Sequence, residues 1–208
     1  MNNIIIVGAG GLAADIISYL SSHNESVTGI LCDYEEDYNN LKTNINYLGE
    51  IDNYKIGKDD RFIVAIGKNP DRKKIFHNLL VRDAIFHTFI HQTAIICNNV
   101  RIGNGVIIGP YCIVGSNCII DDGCFLNKYC SVGHDSIIEK NSIVGPFGMI
   151  GGKCHIDKSS TLSSRSTIFP GVRVGSNCVI SAHCVVRKNV NDDTLLLSEN
   201  LSKKNKSY

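Results

Sequence analysis

A six-residue repeat of aliphatic positions runs through the second half of the chain. Counting in steps of six from Ile96 to Val186 gives sixteen consecutive positions, and every one is Ile, Leu or Val. The residue two places before each of them is always small or β-branched. A period of six predicts a parallel β-helix in which three short strands make one triangular coil of about 18 residues, so the repeat accounts for about five coils.

The first ninety residues follow a different pattern. Apolar runs predict strands over 3–7, 27–31 and 62–66, and amphipathic runs predict helices over about 12–20 and 71–80. Strands that alternate with helices indicate a parallel sheet with right-handed crossovers. We therefore expect an α/β, Rossmann-like domain over residues 1–88, an all-β parallel β-helix over 89–190 and a C-terminal tail over 191–208.

The charge balance excludes some classes of partner. The chain carries 21 Lys and Arg against 20 Asp and Glu, a formal net charge of +1, which gives no electrostatic reason to expect binding to nucleic acid or to an anionic membrane surface. No apolar run approaches the roughly 18–20 residues that span a bilayer, and the N-terminus lacks the basic region of a signal peptide. The sequence predicts a cytoplasmic protein.

The nine cysteines are explained by the repeat. Seven of them occupy the small position two places before the aliphatic one: Cys112, Cys118, Cys124, Cys130, Cys154, Cys178 and Cys184. A metal cluster or a disulfide framework would not follow a six-residue period, whereas a tight corner of a stacked coil needs a small, weakly polar side chain. We expect packing residues and no metal.

A glycine-rich turn follows the first predicted strand. It contains Gly8, Gly10 and Gly11, and Asp33 ends the second strand 23 residues after Gly10. Glycines at a helix N-terminus let a phosphate approach the backbone, and an aspartate there accepts hydrogen bonds from a ribose or a base. The small sheet favours a nucleotide-linked substrate over NAD; a tight turn without a ligand is the alternative. Gly67 and Lys68, which follow the third strand, are assigned to the same substrate site.

The combination of these features resembles one family closely. It is the bacterial sugar acyltransferase family, which includes sialic acid O-acetyltransferases and nucleotide-linked amino-sugar N-acetyltransferases. The resemblance covers the chain to about Val190 and is carried by residues 4–11, the uninterrupted hexads, the segment Val132-Gly133-His134-Asp135 and residues 169–175. It implies a left-handed β-helix and a homotrimer, with His134 as general base and Asp135 as the residue that orients the His134 imidazole. Many relatives carry a second histidine where this chain has Ile143.

The chemistry of acyl transfer agrees with these roles. A histidine is suited to accept a proton at neutral pH, and a neighbouring carboxylate fixes its tautomer. Gly152 lies one coil beyond His134 and should stack about 5 Å above it, where its N–H would stabilise an oxyanion or its small size would only relieve crowding. We assign Gly152, Phe169, Arg187 and Lys188 to the site for coenzyme A, with the two basic residues meeting its phosphates.

The sequence therefore predicts an acetyl-CoA-dependent N-acetyltransferase that acts on a nucleotide-linked amino-deoxysugar, with C4 as the expected amine position, for surface polysaccharide or glycan synthesis. An O-acetyltransferase on sialic acid or a similar sugar and a non-catalytic hexapeptide scaffold are the alternatives. A metal-dependent lyase on the same fold would need three histidines that meet between subunits. The spacings between His134, His155 and His183 are not multiples of 18, which disfavours such a site.

Overall fold

The computed structural model describes residues 3–198, which form a small α/β domain followed by a β-helix. Residues 199–208, including the end of the expected tail, lie outside this range. In the part of the chain that the structure describes, no helix has the length and apolar character needed to cross a membrane.

The N-terminal domain is a four-stranded parallel sheet with three helices. Its strands are β1 (Asn3–Val7), β2 (Val27–Leu31), β3 (Tyr47–Gly49) and β4 (Asp60–Val64), in the order β3-β2-β1-β4. Its helices are α1 (Gly11–Ser22), α2 (Glu35–Leu41) and α3 (Asn69–Val81).

Two elements of this domain, β3 and α2, were not predicted from the sequence. Strand β3 has only three residues, all half-buried, and helix α2 buries none of its residues. Neither element carries an apolar stripe, and apolar periodicity is the signal on which such predictions rest. The third predicted strand also begins two residues earlier than expected, at Asp60, because Asp60 is buried and bonded to Gly57 and Tyr54.

The rest of the described chain winds into a triangular prism with three parallel sheets, which we call face one, face two and face three. Face one comprises Phe89–Ile90, Ile107–Ile108, Phe125–Leu126, Ile143–Val144, Thr161–Leu162, Val179–Ile180 and Leu195–Leu196. Face two comprises Ile95–Ile96, Ile113–Val114, Ser131–Val132, Met149–Ile150, Thr167–Ile168 and Val185–Val186. Face three comprises Arg101–Ile102, Ile119–Ile120, Ile137–Ile138, His155–Ile156 and Arg173–Val174. Partners along each face are 18 residues apart, except in the last pair of face one, where Val179 and Leu195 are 16 apart. The expected coil length is confirmed.

The second residue of each of these short strands points into the prism. From Val106 to Val186 the aliphatic and small positions form one continuous buried core, and all seven cysteines of the repeat belong to it. At each corner one residue adopts a left-handed backbone conformation, and these residues recur every six positions from Asn99 to His183. The prediction of a β-helix is confirmed.

The small corner residues have a role beyond packing. From Cys112 to Ser160 the cysteine thiols and serine hydroxyls at these positions donate hydrogen bonds to a backbone carbonyl fifteen residues further along the chain. Examples are Cys124 to Glu139 O (3.1 Å), Cys118 to Gly133 O (3.1 Å) and Ser142 to Asp157 O (2.9 Å). Burial raises the pKa of the Cys124 thiol to about 12, so the thiol keeps its proton. Each such residue therefore ties its own corner to the same corner of the next coil.

The hydrogen bond from the Cys124 thiol predicts the order of stability of two variants at this position, which thermal unfolding can test. If Cys124 were only a small apolar filler, Cys124→Ala would be tolerated better than Cys124→Ser, because serine adds a buried hydroxyl. If the donor matters, the order reverses: Cys124→Ser should stay close to wild type, and Cys124→Ala should lose about 1 kcal/mol of stability. A higher melting temperature for the alanine variant than for the serine variant would contradict the donor role.

The N-terminal domain is fixed to face one. Ala13, Ile16 and Leu20 of α1 share a buried cluster with the outward side chains of the first four coils of that face: Phe89, Ile107, Phe125 and Ile143. Helix α3 adds polar contacts. The buried Arg72 guanidinium donates to Gly123 O (3.2 Å) on the β-helix and to Val64 O at the end of β4. The N-terminal domain is thereby held on one particular side of the prism.

Candidate active site

The His134 and Asp135 side chains lie at the corner between face two and face three. Asp135 has a left-handed backbone conformation (φ 57°), which an aspartate tolerates better than most residues and which turns its carboxylate towards its neighbour. His134 Nδ1 lies 2.7 Å from Asp135 Oδ2. A carboxylate only accepts, so Nδ1 carries the proton and Nε2 is left with a lone pair. Hydrogen bonds, first from His134 and then from Asn117, lower the pKa of Asp135.

Gly152 lies directly against the His134 imidazole, as the 18-residue spacing predicts. A β-carbon built on Gly152 would meet His134 Nε2 at 2.7 Å and both adjoining ring carbons at 3.0 Å. The Gly152 N–H makes no hydrogen bond to any of residues 3–198. The residue that lies against the imidazole thus has a free N–H, and any larger residue at position 152 would displace the ring.

A column of glycines runs up this corner, and we call it the glycine column. It is formed by Gly115, Gly133 and Gly151, one from each successive coil, and the backbone of the next coil fills the space where each β-carbon would lie, so that glycine is required for the coils to stack. Phe169 is the next residue in this column, and the Arg187 guanidinium lies 5.1 Å from the centre of its ring. Lys188 is exposed beside Arg187. The residues expected to meet coenzyme A thus form one line above His134.

A cavity of about 700 Å³ opens at the carboxyl ends of β1, β2 and β4. Six residues predicted from the sequence line it: Gly8, Gly10, Gly11, Asp33, Gly67 and Lys68. One Asp33 oxygen accepts from Ile51 N (3.2 Å), which fixes the carboxylate at the rim. Lys68 pairs with Asp71 at 3.4 Å, and Lys74 is a further cation of the lining that the sequence did not single out.

The glycines of this cavity lack side chains for different reasons. Gly8 has φ +109°, and a β-carbon there would press on Ala65 O at 3.0 Å, so the fold itself requires glycine. Gly10, Gly11 and Gly67 have ordinary backbone conformations, and a β-carbon on any of them would meet no atom within 4 Å. The fold itself does not require glycine at these three positions. Glycine at positions 10 and 11 leaves the backbone at the α1 N-terminus accessible to a ligand.

A second cavity of about 350 Å³ adjoins the first, and Leu12 and Gly67 line both. It lies between α1 and face one and opens at the corner between face one and face two, where Asn127 and Ser163 line it. Asp15 of α1 lines it as well and pairs with Lys128 at 3.5 Å. Sequence reasoning missed these residues, because only the docking of the two domains brings them together.

The structure does not bring the two groups of predicted residues together within one chain. The N-terminal domain and its cavity sit on face one, whereas His134 lies at the corner between face two and face three, which is the corner opposite face one in a triangular prism. A substrate held in the N-terminal cavity therefore projects away from the His134 of its own chain.

Face three carries a polar cluster that the sequence did not indicate. Among residues 3–198, Glu139, His155 and Asp157 are the one group of three side chains close enough to share a metal ion. Asp157 is buried, and its carboxylate is paired with the Arg173 guanidinium, while His155 Nε2 lies 2.9 Å from Glu139 Oε1. Because Arg173 already neutralises Asp157, the cluster is satisfied as an ion-pair network. The absence of a metal stays a prediction.

Comparison with known proteins places the chain among left-handed β-helix proteins of the hexapeptide type that carry an N-terminal α/β domain. Residues 84–194 match the family described as GMPPB C-terminal domain, more than half of the chain, so the chain belongs to that family. Residues 3–79 match the PglD N-terminal domain. The resemblance to the sugar acyltransferases of this superfamily is thereby confirmed for domain order and fold. A search of curated proteins gives no match.

Three solved structures share the whole arrangement. PerB from Caulobacter crescentus, in complex with CoA and GDP-perosamine, has a TM-score of 0.84 at 24% identity and covers 94% of this chain and 93% of its own. The acetyltransferase domain of PglB from Neisseria gonorrhoeae, in complex with acetyl coenzyme A, has a TM-score of 0.82 at 19% identity, with 94% and 96% covered. WeeI from Acinetobacter baumannii has a TM-score of 0.76 at 18% identity, with 96% and 98% covered. The common fold extends over both domains.

Proposed function

We propose that this protein is an acetyl-CoA-dependent N-acetyltransferase that acts on the amine of a nucleotide-linked amino sugar. The observation that carries the proposal is the pairing of two sites: a glycine cradle at the N-terminus of α1, and a histidine–aspartate pair whose imidazole lies against Gly152, a residue with a free backbone N–H. The described complexes of PerB with CoA and GDP-perosamine, and of PglB with acetyl coenzyme A, support the same class of substrates.

The nucleotide binds in the N-terminal cavity. Its diphosphate lies against the backbone of Gly10 and Gly11, where the first N–H groups of α1 have no partner within the helix and the helix dipole favours an anion. Lys68 and Lys74 add positive charge at the same place. Asp33, held by Ile51 N, presents its second oxygen to a donor on the ribose or the base.

The sugar extends from this cavity into the second one. The two cavities adjoin at Leu12 and Gly67, and the lining of the second includes groups that bind hydroxyls: Asp15, Asn127 and Ser163. Ile143, which stands where many relatives have a histidine, is buried against α1 and lines the same cavity. We therefore assign to Ile143 an apolar contact with the sugar or the acetyl group.

The reaction follows from the geometry at His134. The neutral amine attacks the thioester carbonyl, and the negative charge that develops on the carbonyl oxygen is stabilised by the Gly152 N–H. His134 Nε2 accepts the proton that the amine loses, and Asp135 stabilises the resulting imidazolium. Collapse of the intermediate breaks the C–S bond, and the thiolate of coenzyme A takes the proton from His134.

Coenzyme A lies along the corner that carries the glycine column. Lys188 is three coils beyond His134, about 14 Å at the usual spacing of parallel strands. This distance suits an extended pantetheine arm with its thioester at His134 and its phosphates at Arg187 and Lys188. Phe169 holds the Arg187 guanidinium by its ring face and adds an apolar surface at this corner.

A homotrimer completes the site. Face two exposes a row of apolar side chains, namely Ile95, Ile113, Met149 and Val185. Face three presents Arg101, His155 and Arg173, with the half-buried Ile119 and Ile137 between them. Along one edge of face two, Tyr111, Tyr129 and Phe147 form a ladder of stacked rings 5.1 and 4.8 Å apart, with all three rings exposed. An apolar face of this kind marks a contact between subunits.

The same packing brings the two halves of the site together. The second cavity opens at the edge where face two begins, and His134 lies at the opposite edge of face two. A neighbour that packs on face two can place its own His134 corner over the sugar of this chain. The amine is then delivered to the histidine of the next subunit.

We place this enzyme in the cytoplasm, where its many thiols stay reduced, and in the synthesis of a surface glycan.

An assay of thiol release from acetyl-CoA tests the function. With a panel of amino sugars linked to UDP, GDP and dTDP, at least one should be acetylated on nitrogen, and free sialic acid should not react. Gly10→Val fills the cradle without a clash inside the protein, so it should raise KM for the sugar nucleotide at least tenfold, leave KM for acetyl-CoA unchanged and have a larger effect than Gly10→Ala. Acetylation of free sialic acid alone would contradict the proposal.

A further inference from the structure

The catalytic aspartate has a second partner that no part of the mechanism above uses. Asn117 occupies the corner one coil before Asp135, and its Nδ2 lies 3.0 Å from Asp135 Oδ1. Asp135 therefore uses one oxygen for His134 and the other for Asn117. Without the second bond, this exposed carboxylate would be free to rotate away from the imidazole.

The orientation of the Asn117 amide follows from its neighbours. Asp135 can only accept, so the NH2 group of Asn117 must point towards it and Oδ1 must point the other way. Asn99, one coil earlier again, donates from Nδ2 to that Oδ1 at 3.2 Å. The three residues thus form a ladder in which each donates to the next, and the ladder ends on the carboxylate beside the catalytic base.

The backbone supports this ladder. Asn99, Asn117 and Asp135 have φ values of 60°, 61° and 57°, so all three adopt the same left-handed corner conformation. Their side chains therefore project in the same direction, one coil apart. Asparagine and aspartate accept this conformation at low cost, and their short side chains span the gap between coils.

We propose that Asn117, with Asn99 behind it, is a positioning residue that holds the Asp135 carboxylate in line with His134 Nδ1. The inference rests on the proposed acetyltransferase function for its effect on rate, but the effect on Asp135 itself does not depend on any activity. Asn117 touches neither substrate in this scheme. It acts by restricting Asp135 to the rotamer that orients the base.

The charges around Asp135 allow a clear prediction for its ionisation. The pKa of Asp135 is lowered by the bond from His134, then by the bond from Asn117, and further by the charge of Lys153 one coil above. Removing the Asn117 amide leaves the His134 and Lys153 contributions in place. The pKa of Asp135 should therefore rise in Asn117→Gly, and rise further in Asn117→Asp, where a like charge of the same shape faces it.

The chain offers a matched control. Asn177 has φ 55° and donates from Nδ2 to Asp193 Oδ1 at 3.0 Å, which is the same arrangement at a different corner. Both asparagines are exposed, and glycine removes the amide from either one without straining the left-handed backbone. Asn177→Gly thus reproduces the structural change of Asn117→Gly away from His134.

The experiment combines carboxyl titration by NMR with steady-state kinetics. Asn117→Gly should raise the pKa of Asp135 and lower kcat by about tenfold with both KM values unchanged, whereas Asn177→Gly should change none of these. An unchanged Asp135 titration in Asn117→Gly would overturn the positioning role whether or not the protein is an acetyltransferase. A shifted titration with wild-type kcat would overturn the role in the reaction, and the absence of acetyl transfer by the wild type would overturn only the proposed function.

Discussion

His134→Ala should lower kcat by about 10²–10⁴-fold, the usual contribution of a general base, with KM for both substrates near wild type. The expectation rests on the free lone pair at Nε2, which the hydrogen bond from Nδ1 to Asp135 leaves available beside Gly152. The imidazole is exposed and makes its one side-chain hydrogen bond to Asp135, so its removal should not affect folding.

Two variants separate the loss of the base from other effects. His134→Asn keeps a donor near Asp135 but has no basic nitrogen, so it should be as impaired as His134→Ala. His77 is exposed on α3, far from the prism corner, and His77→Ala should keep full activity. A His134→Ala variant with more than half of the wild-type kcat would remove His134 from the mechanism.

Much of this site was predictable because the β-helix converts sequence spacing into position. Residues 18 apart lie on top of one another, so the contact between His134 and Gly152 could be inferred by counting alone. The aliphatic and cysteine positions were predictable for the same reason. A repeat that fixes the backbone leaves little for tertiary context to alter.

Other features required the folded molecule. The second cavity exists only because α1 lies on face one, and no local pattern shows which side of a prism a preceding domain will cover. The distinction between Gly8, which the backbone requires, and Gly10, which it does not, depends on dihedral angles and neighbouring atoms. Asn117 and Asp135 are 18 residues apart, so their proximity could be predicted from the spacing. The hydrogen bond between their side chains could not, because it depends on how the amide is oriented.

The position of His134 relative to the N-terminal cavity leads to the second large effect, which is complementation between inactive variants. If each site uses the cavity of one subunit and His134 of the next, then His134→Ala keeps a working cavity and Gly10→Val keeps a working base. Each homotrimer should be nearly inactive at a low concentration of sugar nucleotide. Trimers that contain both variants should recover about one third of the wild-type sites, because in a ring with two subunits of one variant and one of the other, one of the three junctions joins an intact cavity to an intact base.

The measurement is made on trimers formed by co-expressing the two variants with different affinity tags and purifying the mixed species. Recovery near one third of the wild-type rate would support a site shared between subunits, and dilution that dissociates the trimer should abolish it. Two homotrimers mixed without subunit exchange serve as the control and should show only the sum of their residual activities. If the co-expressed species also shows only that sum, then cavity and base belong to the same chain, and the proposed packing of a neighbour on face two is wrong.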